Sequence, residues 1–247
     1  RAFAIQGQVA PRLQPPAAPA LIPFRDSPVF SWQGSAGAAA YDVQRSASKG
    51  GPWHTVAWNV DDIATPGFAL FSDTTAAPGQ LYFYRVLARN RAGLSPPSAA
   101  FGPVAVDYLT RVDDARNLGV VADARGITVR SGEQRSFKEA HSRLHGEPGA
   151  WVSYTAAGVL RELRRFAYEQ PAADGRAPQP ALRLSTSEDA LTWTPADADL
   201  QRYPSPEKNY EYLVPVRYRL RPPAGTRYVR ADFGATADVV RAELDYR

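Results

Sequence analysis

Pairs of carboxylates are the residues in this sequence best suited to acid–base chemistry. They occur as Asp61–Asp62, Asp113–Asp114, Glu188–Asp189, and Asp197 with Asp199. Neighbouring side chains on a strand point to opposite faces, whereas a catalytic couple needs two carboxyl groups that face one substrate. The spacing therefore predicts solvated turns and not an acid–base couple.

The sequence contains three histidines, and the spacing of two of them invites comparison with a metal site. His141 and His145 would lie on one face of a helix, with Arg143 between them. Because no third ligand accompanies them and His54 stands alone, we predict no bound metal. The sequence indicates no cofactor, and it leaves a structural calcium ion open.

Nucleophilic and cofactor-dependent chemistry lack their usual motifs here. The chain has no cysteine, which excludes thiolate catalysis, disulfides and zinc fingers. It also lacks a nucleophile elbow, a P-loop and a glycine-rich dinucleotide motif. We predict that the chain by itself is not an enzyme.

Sugar binding has better support, because sugars stack their C–H faces on aromatic rings and bond their hydroxyls to fixed polar groups. Tyr203 and Tyr210 lie in the proline-containing stretch Gln201–Tyr212, which is predicted to be an exposed loop. A second predicted loop, Ser136–Gly149, supplies the polar partners: His141, Arg143 and His145. The alternative is that these tyrosines pack on a neighbouring domain.

Six other aromatic residues are predicted to be buried. The predicted core positions are Trp32, Tyr41, Tyr82, Tyr84, Trp151 and Trp193. Trp53 and Trp58 are an odd number of residues apart, so alternation along a strand predicts that one of them is exposed.

Composition limits the classes of partner. The 247 residues are 44% hydrophobic and 22% charged, which is typical of a soluble globular protein with one large or two ordinary domains. The net charge of +4 comes from scattered arginines, whereas a nucleic-acid-binding protein clusters its basic residues. No apolar run has membrane-spanning length. We therefore predict neither nucleic-acid nor membrane binding.

The chain from residue 20 to 107 has the pattern of an all-β unit. Residues 1–19 form a tail and a proline-rich linker, and four strand candidates follow: Val29–Gln33, Ala39–Ser46, Trp53–Val60 and Leu81–Asn90. The stretch Gln80–Ser95 resembles the F strand and F–G turn of a fibronectin type III domain. That resemblance places the tyrosine-corner residue at Tyr82 and core aromatics at Trp32 and Tyr41.

Residues 108–247 form a second predicted β unit, organised around the hairpin Leu182–Pro195, whose polar turn contains Ser187 and Asp189. The other strand candidates are Gly126–Arg130, Ala150–Tyr154, Gly158–Tyr168, Glu211–Leu220, Thr226–Phe233 and Ala237–Tyr246. Gly158–Tyr168 has apolar residues at helical spacing, and we interpret it as a strand.

The second unit resembles discoidin-type, galactose-binding-like jelly rolls. The resemblance lies in the hairpin, where Asp189-Ala190 stands for the Asp-Gly of that family, and in the strands Thr226–Phe233 and Val239–Tyr246. Together the two resemblances imply an all-β protein of two tandem β-sandwiches.

The order of the parts resembles the C-terminal accessory region of secreted bacterial glycoside hydrolases of the TIM-barrel mannanase and cellulase type. This resemblance implies a fragment whose catalytic domain lies upstream, a polysaccharide partner, and a secreted or periplasmic location. The catalytic residues would then lie outside this chain. The alternative is a pair of structural domains that pack on and stabilise a catalytic domain or partner chain without binding sugar; a protein-binding adhesin is a third.

Overall fold

The computed structural model shows two successive β units. It describes residues 14–23, 27–63, 68–133, 137, 140–170, 179–203 and 213–247. Eighteen strands and no helix make up the regular structure of this part of the chain. Within it, no helix is long and apolar enough to cross a membrane.

The first unit contains two antiparallel sheets. One has the order β1-β2-β5 and consists of β1 (Ala20–Pro23), β2 (Val29–Gln33) and β5 (Phe71–Ser72). The strands of the other sheet are β3 (Ala40–Ser46), β4 (His54–Val60), β6 (Leu81–Asn90), β7 (Gly93–Leu94) and β8 (Phe101–Ala105). Their order is β4-β3-β6-β7, and β8 also pairs with β6. The two sheets enclose a common core.

Aromatic rings from both sheets build that core. Phe30 packs on Tyr84 with ring centroids 4.5 Å apart, and Trp32 packs on Tyr41 at 5.2 Å. All four side chains are buried, because alternate residues of a strand point to the same side. The predicted core positions Trp32, Tyr41 and Tyr84 are confirmed.

Tyr82, by contrast, is half-buried, and the guanidinium of Arg45 lies 4.6 Å from the centroid of its ring. Tyr84 is the tyrosine whose buried hydroxyl bonds back to an upstream residue, donating to Oδ2 of Asp73 at 3.0 Å. The resemblance places that role at Tyr82. The two tyrosines share a face of β6, so the alternation alone could not distinguish them.

The second unit is one hydrogen-bonded network of ten strands that folds into two layers. The β12 layer comprises β9 (Leu109–Asp113), β12 (Leu160–Glu169), β15 (Asp199–Arg202), β16 (Val214–Leu220) and β18 (Ala237–Tyr246). The β17 layer comprises β10 (Asp123–Ser131), β11 (Ser142–Thr155), β13 (Leu182–Ser187), β14 (Thr194–Ala196) and β17 (Tyr228–Phe233). Strand β11 joins the layers, because its first part pairs with β18 and its second part with β17.

The core of the second unit lies between these layers. Val152 and Tyr154 from the β17 layer share one buried cluster with Leu163 and Leu244 from the β12 layer. The chain is therefore all-β with two tandem β-sandwiches, as the sequence predicts.

Strand β12 settles the ambiguity over Gly158–Tyr168 in favour of a strand. It pairs with β16 on one side and with β18 on the other. Its alternation is hidden in the sequence because Arg165, only 1% exposed, points into the core, whereas Phe166 contacts the first unit. A buried arginine and an outward phenylalanine make a strand resemble an amphipathic helix.

The predicted hairpin is present as β13 and β14, and side chains bond its turn as expected. Oδ1 of Asp189 accepts hydrogen bonds from the backbone N–H groups of Thr192 and Leu191 at 2.9 and 2.8 Å. These bonds stabilise the carboxylate and lower the pKa of Asp189. Trp193 is half-buried rather than buried, so its assignment to the core is wrong.

The two units touch beyond the link that joins them. The strands change partners between β8, which ends at Ala105, and β9, which begins at Leu109. The predicted boundary after residue 107 falls in this interval. Across the joint, Oγ of Ser72 donates to the carbonyl oxygen of Thr110 at 2.6 Å, and the ring of Phe68 meets that of Phe166 at 4.7 Å.

Candidate functional site

Of the two tyrosines predicted to bind sugar, one lies in the described part of the chain and the other does not. Tyr203 follows β15, is half-buried, and donates its backbone N–H to the carbonyl oxygen of Pro215 at 3.0 Å. Tyr210 lies outside the described residues, as does all of 204–212. The loop begins later than predicted because β15 extends to Arg202. Their role in sugar binding stays a prediction.

The predicted loop Ser136–Gly149 is wrong from Ser142 onward, where β11 begins. Arg143 and His145 lie on this strand and are 2% and 6% exposed. The strand forms by pairing with β10 and with β18, the second of which is about ninety residues away in sequence. Such distant pairing leaves no local signal in the sequence.

Protein carboxylates already occupy the polar groups of Arg143 and His145. Nε of Arg143 donates to Oδ1 of Asp238 at 3.1 Å, and Nη2 donates to Glu133 at 2.7 Å. The ring nitrogens of His145 lie 3.2 Å from Oδ1 of Asp238 and 3.0 Å from Oε1 of Glu147. Both residues therefore stabilise the sandwich itself, and a sugar would have to displace these contacts.

His141 is separated from that pair. It is exposed and lines a cleft of about 210 Å³ between the two units. The charged groups beside it are paired with each other: Nη2 of Arg116 donates to Oδ1 of Asp61 at 3.0 Å, and Nε lies 2.6 Å from Oδ2 of Asp114. The structure thus divides the three predicted polar partners between two places.

The neighbouring carboxylates do point in different directions. Asp113 is buried and accepts a hydrogen bond from the hydroxyl of Tyr154 at 2.7 Å, and burial raises the pKa of Asp113. Its neighbour Asp114 is exposed beside Arg116. Asp113 is therefore in the core, and the prediction that it lies in a solvated turn is wrong. Among the described residues, no group of three or more His, Asp or Glu side chains is arranged to hold a metal ion.

An array of aromatic and charged side chains lies on the outer side of the β17 layer. The strand register places Arg125, Trp151, Asp232 and Arg183 opposite one another on β10, β11, β17 and β13. Side chains that are directly opposite on adjacent strands share a face, so these four form a row. Three strand spacings of about 4.8 Å make the row roughly 14 Å long.

Arg230 contacts the two central residues of this row. Its guanidinium lies 4.4 Å from the ring centroid of Trp151, and its Nε donates to Oδ1 of Asp232 at 2.9 Å. Ser185 lies opposite it on β13. We refer to this surface as the Trp151 face, which consists of Arg125, Trp151, Arg183, Ser185, Tyr228, Arg230 and Asp232.

The prediction that Trp151 belongs to the core is wrong, because the residue is only half-buried. Its neighbour Val152 on β11 and Ala231 on β17 are buried, so the alternate positions must face outward. This alternation is visible in the sequence around Trp151. The signal was missed because tryptophan suits a core as well as a surface, and only the second layer identifies the buried side.

The Trp151 face combines groups that suit a polyhydroxylated ligand. The half-buried indole of Trp151 offers part of an apolar surface. Asp232 can accept hydrogen bonds, and the exposed Arg125 and Arg183 can donate them. Contacts to Trp151 and Asp232 hold Arg230 in one orientation, which lowers the entropic cost of binding.

Trp58 is exposed, and 56% of its surface is accessible. It lies on β4, an edge strand of the first unit. Trp53 is half-buried beneath the guanidinium of Arg85, which lies 4.4 Å from its ring. This confirms that one residue of the pair is exposed.

No protein-family model and no curated protein sequence matches this chain. Among solved structures, an Fn3-like protein from Clostridium thermocellum is 28% identical over 34% of this chain and 84% of its own, with a TM-score of 0.27. The Agl-KA catalytic domain is 13% identical over 57% of this chain and 28% of its own, with a TM-score of 0.34. A structure of carbohydrate-binding modules from the β-sandwich superfamily is 16% identical over 92% of this chain and 99% of its own, with a TM-score of 0.20. Because these TM-scores lie below 0.5, the assignment of two β-sandwiches rests on the strand pairing itself.

Proposed function

We propose that this chain is a non-catalytic accessory region that binds a polysaccharide through the Trp151 face. The observation that carries the proposal is the half-buried Trp151, which is stacked on Arg230 and aligned with Asp232. A sugar ring would contact the indole with its C–H groups, and its hydroxyls would bond to the carboxylate and the guanidinium groups.

The shape of the face favours a polymer over a small molecule. An open sheet surface encloses a ligand poorly, so a small sugar would bury little of its area there. A row of roughly 14 Å, estimated from three strand spacings, offers successive contacts to an extended chain. Each contact adds to the affinity without a deep pocket.

The described residues of the first unit make their contacts with the other layer and leave this face open. The contacts at the joint involve Phe166 and Arg241, which belong to β12 and β18 of the other layer. The fibronectin-like unit therefore packs on one side of the second sandwich while the Trp151 face lies on the opposite side. This arrangement supports a spacer role for the first unit together with binding by the second.

The accessory role extends the resemblance to secreted glycoside hydrolases. In this proposal a catalytic domain is attached upstream, in a secreted or periplasmic protein, and the chain tethers it to its polymer. Tethering raises the effective concentration of the catalytic domain at the polymer surface. The carboxylates Asp61, Asp113 and Asp114 take part in structural contacts, which agrees with a non-catalytic role.

Affinity electrophoresis tests the proposal. The protein is run in gels that contain mannan, xylan, glucan or galactan, as wild type and as Trp151→Ala. We expect one polysaccharide to retard the wild type, and Trp151→Ala to weaken binding at least tenfold, which corresponds to about 1.4 kcal/mol. Trp58→Ala is the matched control and should bind as the wild type does. Unchanged retardation of Trp151→Ala would refute this site, and a loss with Tyr203→Ala alone would favour the tyrosine loop.

A structural role without sugar binding is the second candidate, and one observation favours it. Leu191, at the tip of the β13–β14 turn, is 84% exposed. A large apolar side chain in that position gains free energy if a partner surface covers it. If no polysaccharide retards the protein and Leu191→Ser weakens its association with the upstream domain, the structural role is correct.

A further inference from the structure

The two ends of the row on the Trp151 face carry free positive charge. Arg125 at one end and Arg183 at the other are exposed, and neither forms an ion pair with another described residue. Arginines on this chain commonly pair with carboxylates, as Arg116 does with Asp61 and Arg143 with Asp238. Two unpaired guanidinium groups in one row are available to a ligand.

The middle of the row does not cancel this charge. Asp232 is bonded to Arg230, so its carboxylate is already compensated. Asp123, two residues before Arg125 on β10, lies opposite Ser153 at the edge of the layer and outside the row. The Trp151 face thus carries three guanidinium groups and one carboxylate.

Guanidinium groups bind planar or tetrahedral oxyanions in a bidentate manner, and they bind neutral hydroxyls less strongly. The indole of Trp151 lies between the two unpaired arginines in the row. A sugar ring on the indole would therefore have anionic substituents on its neighbours within reach of Arg125 or Arg183. The overall charge of +4 adds long-range attraction for such a polymer.

We propose that the Trp151 face recognises an anionic polysaccharide, with its carboxylate or sulfate groups bound by Arg125 and Arg183. This inference rests on the proposed function, since it names the class of polymer that the same face binds. It goes further because a neutral polymer would satisfy the proposed function equally well.

Binding is measured with a uronate polymer (polygalacturonate), a sulfated polymer (dextran sulfate) and a neutral polymer (dextran) at low and at raised salt. We expect affinity for at least one anionic polymer to exceed that for dextran tenfold and to fall as salt screens the charges. The double variant Arg125→Ala/Arg183→Ala should lose at least tenfold in affinity for that polymer. The polymer that binds more tightly identifies carboxylate or sulfate as the group recognised.

The control is the double variant Lys49→Ala/Arg91→Ala, which removes the same charge from exposed positions in the first unit. It should stay within twofold of the wild type. Equal loss in both double variants would show that only net charge matters and would overturn the inference. So would binding of duplex DNA as tight as that of the best glycan and insensitive to Trp151→Ala.

The outcomes separate the inference from the function on which it rests. If a neutral polysaccharide binds through Trp151 and the Arg125→Ala/Arg183→Ala variant binds it equally well, the anionic preference is wrong and the proposed function stands. If no neutral or anionic glycan binds at all, both are wrong.

Discussion

The guanidinium of Arg241, on the last strand of the second sandwich, lies 4.9 Å from the ring centroid of Phe68 in the first. The same ring meets Phe166 edge-on at 4.7 Å, and Nη2 of Arg241 donates to the carbonyl oxygen of Ala69 at 3.3 Å. The two units are therefore held by side-chain packing as well as by the link at residues 106–108.

Replacing Phe68 should loosen this joint. Phe68→Ala removes an aromatic pair and a cation–π contact, which together contribute about 1 to 2 kcal/mol. We expect small-angle scattering to show a larger radius of gyration and calorimetry to show two separated transitions. Leu94→Ala, which removes a half-exposed apolar side chain elsewhere in the first unit, is the control. A Phe68→Ala profile identical to that of the wild type would contradict a packed joint.

The ion pair between Asp61 and Arg116 should make the joint sensitive to acid. The hydrogen bond from Arg116 lowers the pKa of Asp61 below its ordinary value of 3.8. A carboxylate with a depressed pKa in the folded state stabilises the fold above its ordinary pKa, and this stability is lost as the pH falls through the folded value. The difference in melting temperature between wild type and Asp61→Asn should therefore be constant near neutral pH and shrink below about pH 4. Arg116→Ala should show the same pH dependence, and a difference that persists to pH 2 would disprove the assignment.

A glycine at position 190 should stabilise the turn of the β13–β14 hairpin. Ala190 has a φ of 65°, in the left-handed region where an alanine side chain is disfavoured. Ala190→Gly should stabilise the protein by about 0.5 to 1 kcal/mol, since the relief of strain exceeds the added chain entropy of the unfolded state. Ala190→Val should destabilise it. The free energy of unfolding in urea measures both, and a loss with glycine would show that the turn is not strained.

Replacing Asp113 should lower the free energy of unfolding more than removing the hydrogen bond that Asp113 accepts from Tyr154. Its carboxylate is buried near the guanidinium of Arg165, which lies 4.9 Å from the ring of Tyr154. Asp113→Asn removes a negative charge that acts on the guanidinium of Arg165 and weakens the bonds from Tyr154 and the backbone N–H of Ala115, and it should cost about 2 to 3 kcal/mol. Tyr154→Phe removes the bond to the carboxylate only and should cost about 1 kcal/mol. Equal losses in urea unfolding would mean that Arg165 does not depend on Asp113.

The sequence predicts the bounds of some strands to the residue. The bounds of β2, β6 and β18 agree with those expected from the sequence. Strands β5 and β7 have two residues each and β15 has four, which is too short for an alternation to be recognised. They exist because a neighbouring strand offers hydrogen bonds, and that information is not local.

The candidate site is harder to predict for a related reason. The alternation around Trp151 divides residues between two faces, but either face could be the buried one. Arg143 and His145 were expected on a loop because their partner is not local in the sequence. Both contact the carboxylate of Asp238, which is more than ninety residues away. The register between distant strands, and not the residue types, selects the exposed surface.

Indole N–H resonances measure the central claim most directly. The five tryptophans are labelled with ¹⁵N, assigned by single Trp→Phe replacements, and observed while the polysaccharide that retards the protein is added as soluble oligosaccharide. If the Trp151 face is the binding site, the Trp151 resonance shifts to saturation and those of buried Trp32 and exposed Trp58 do not move. Saturable binding that shifts another indole and leaves Trp151 unchanged would contradict it.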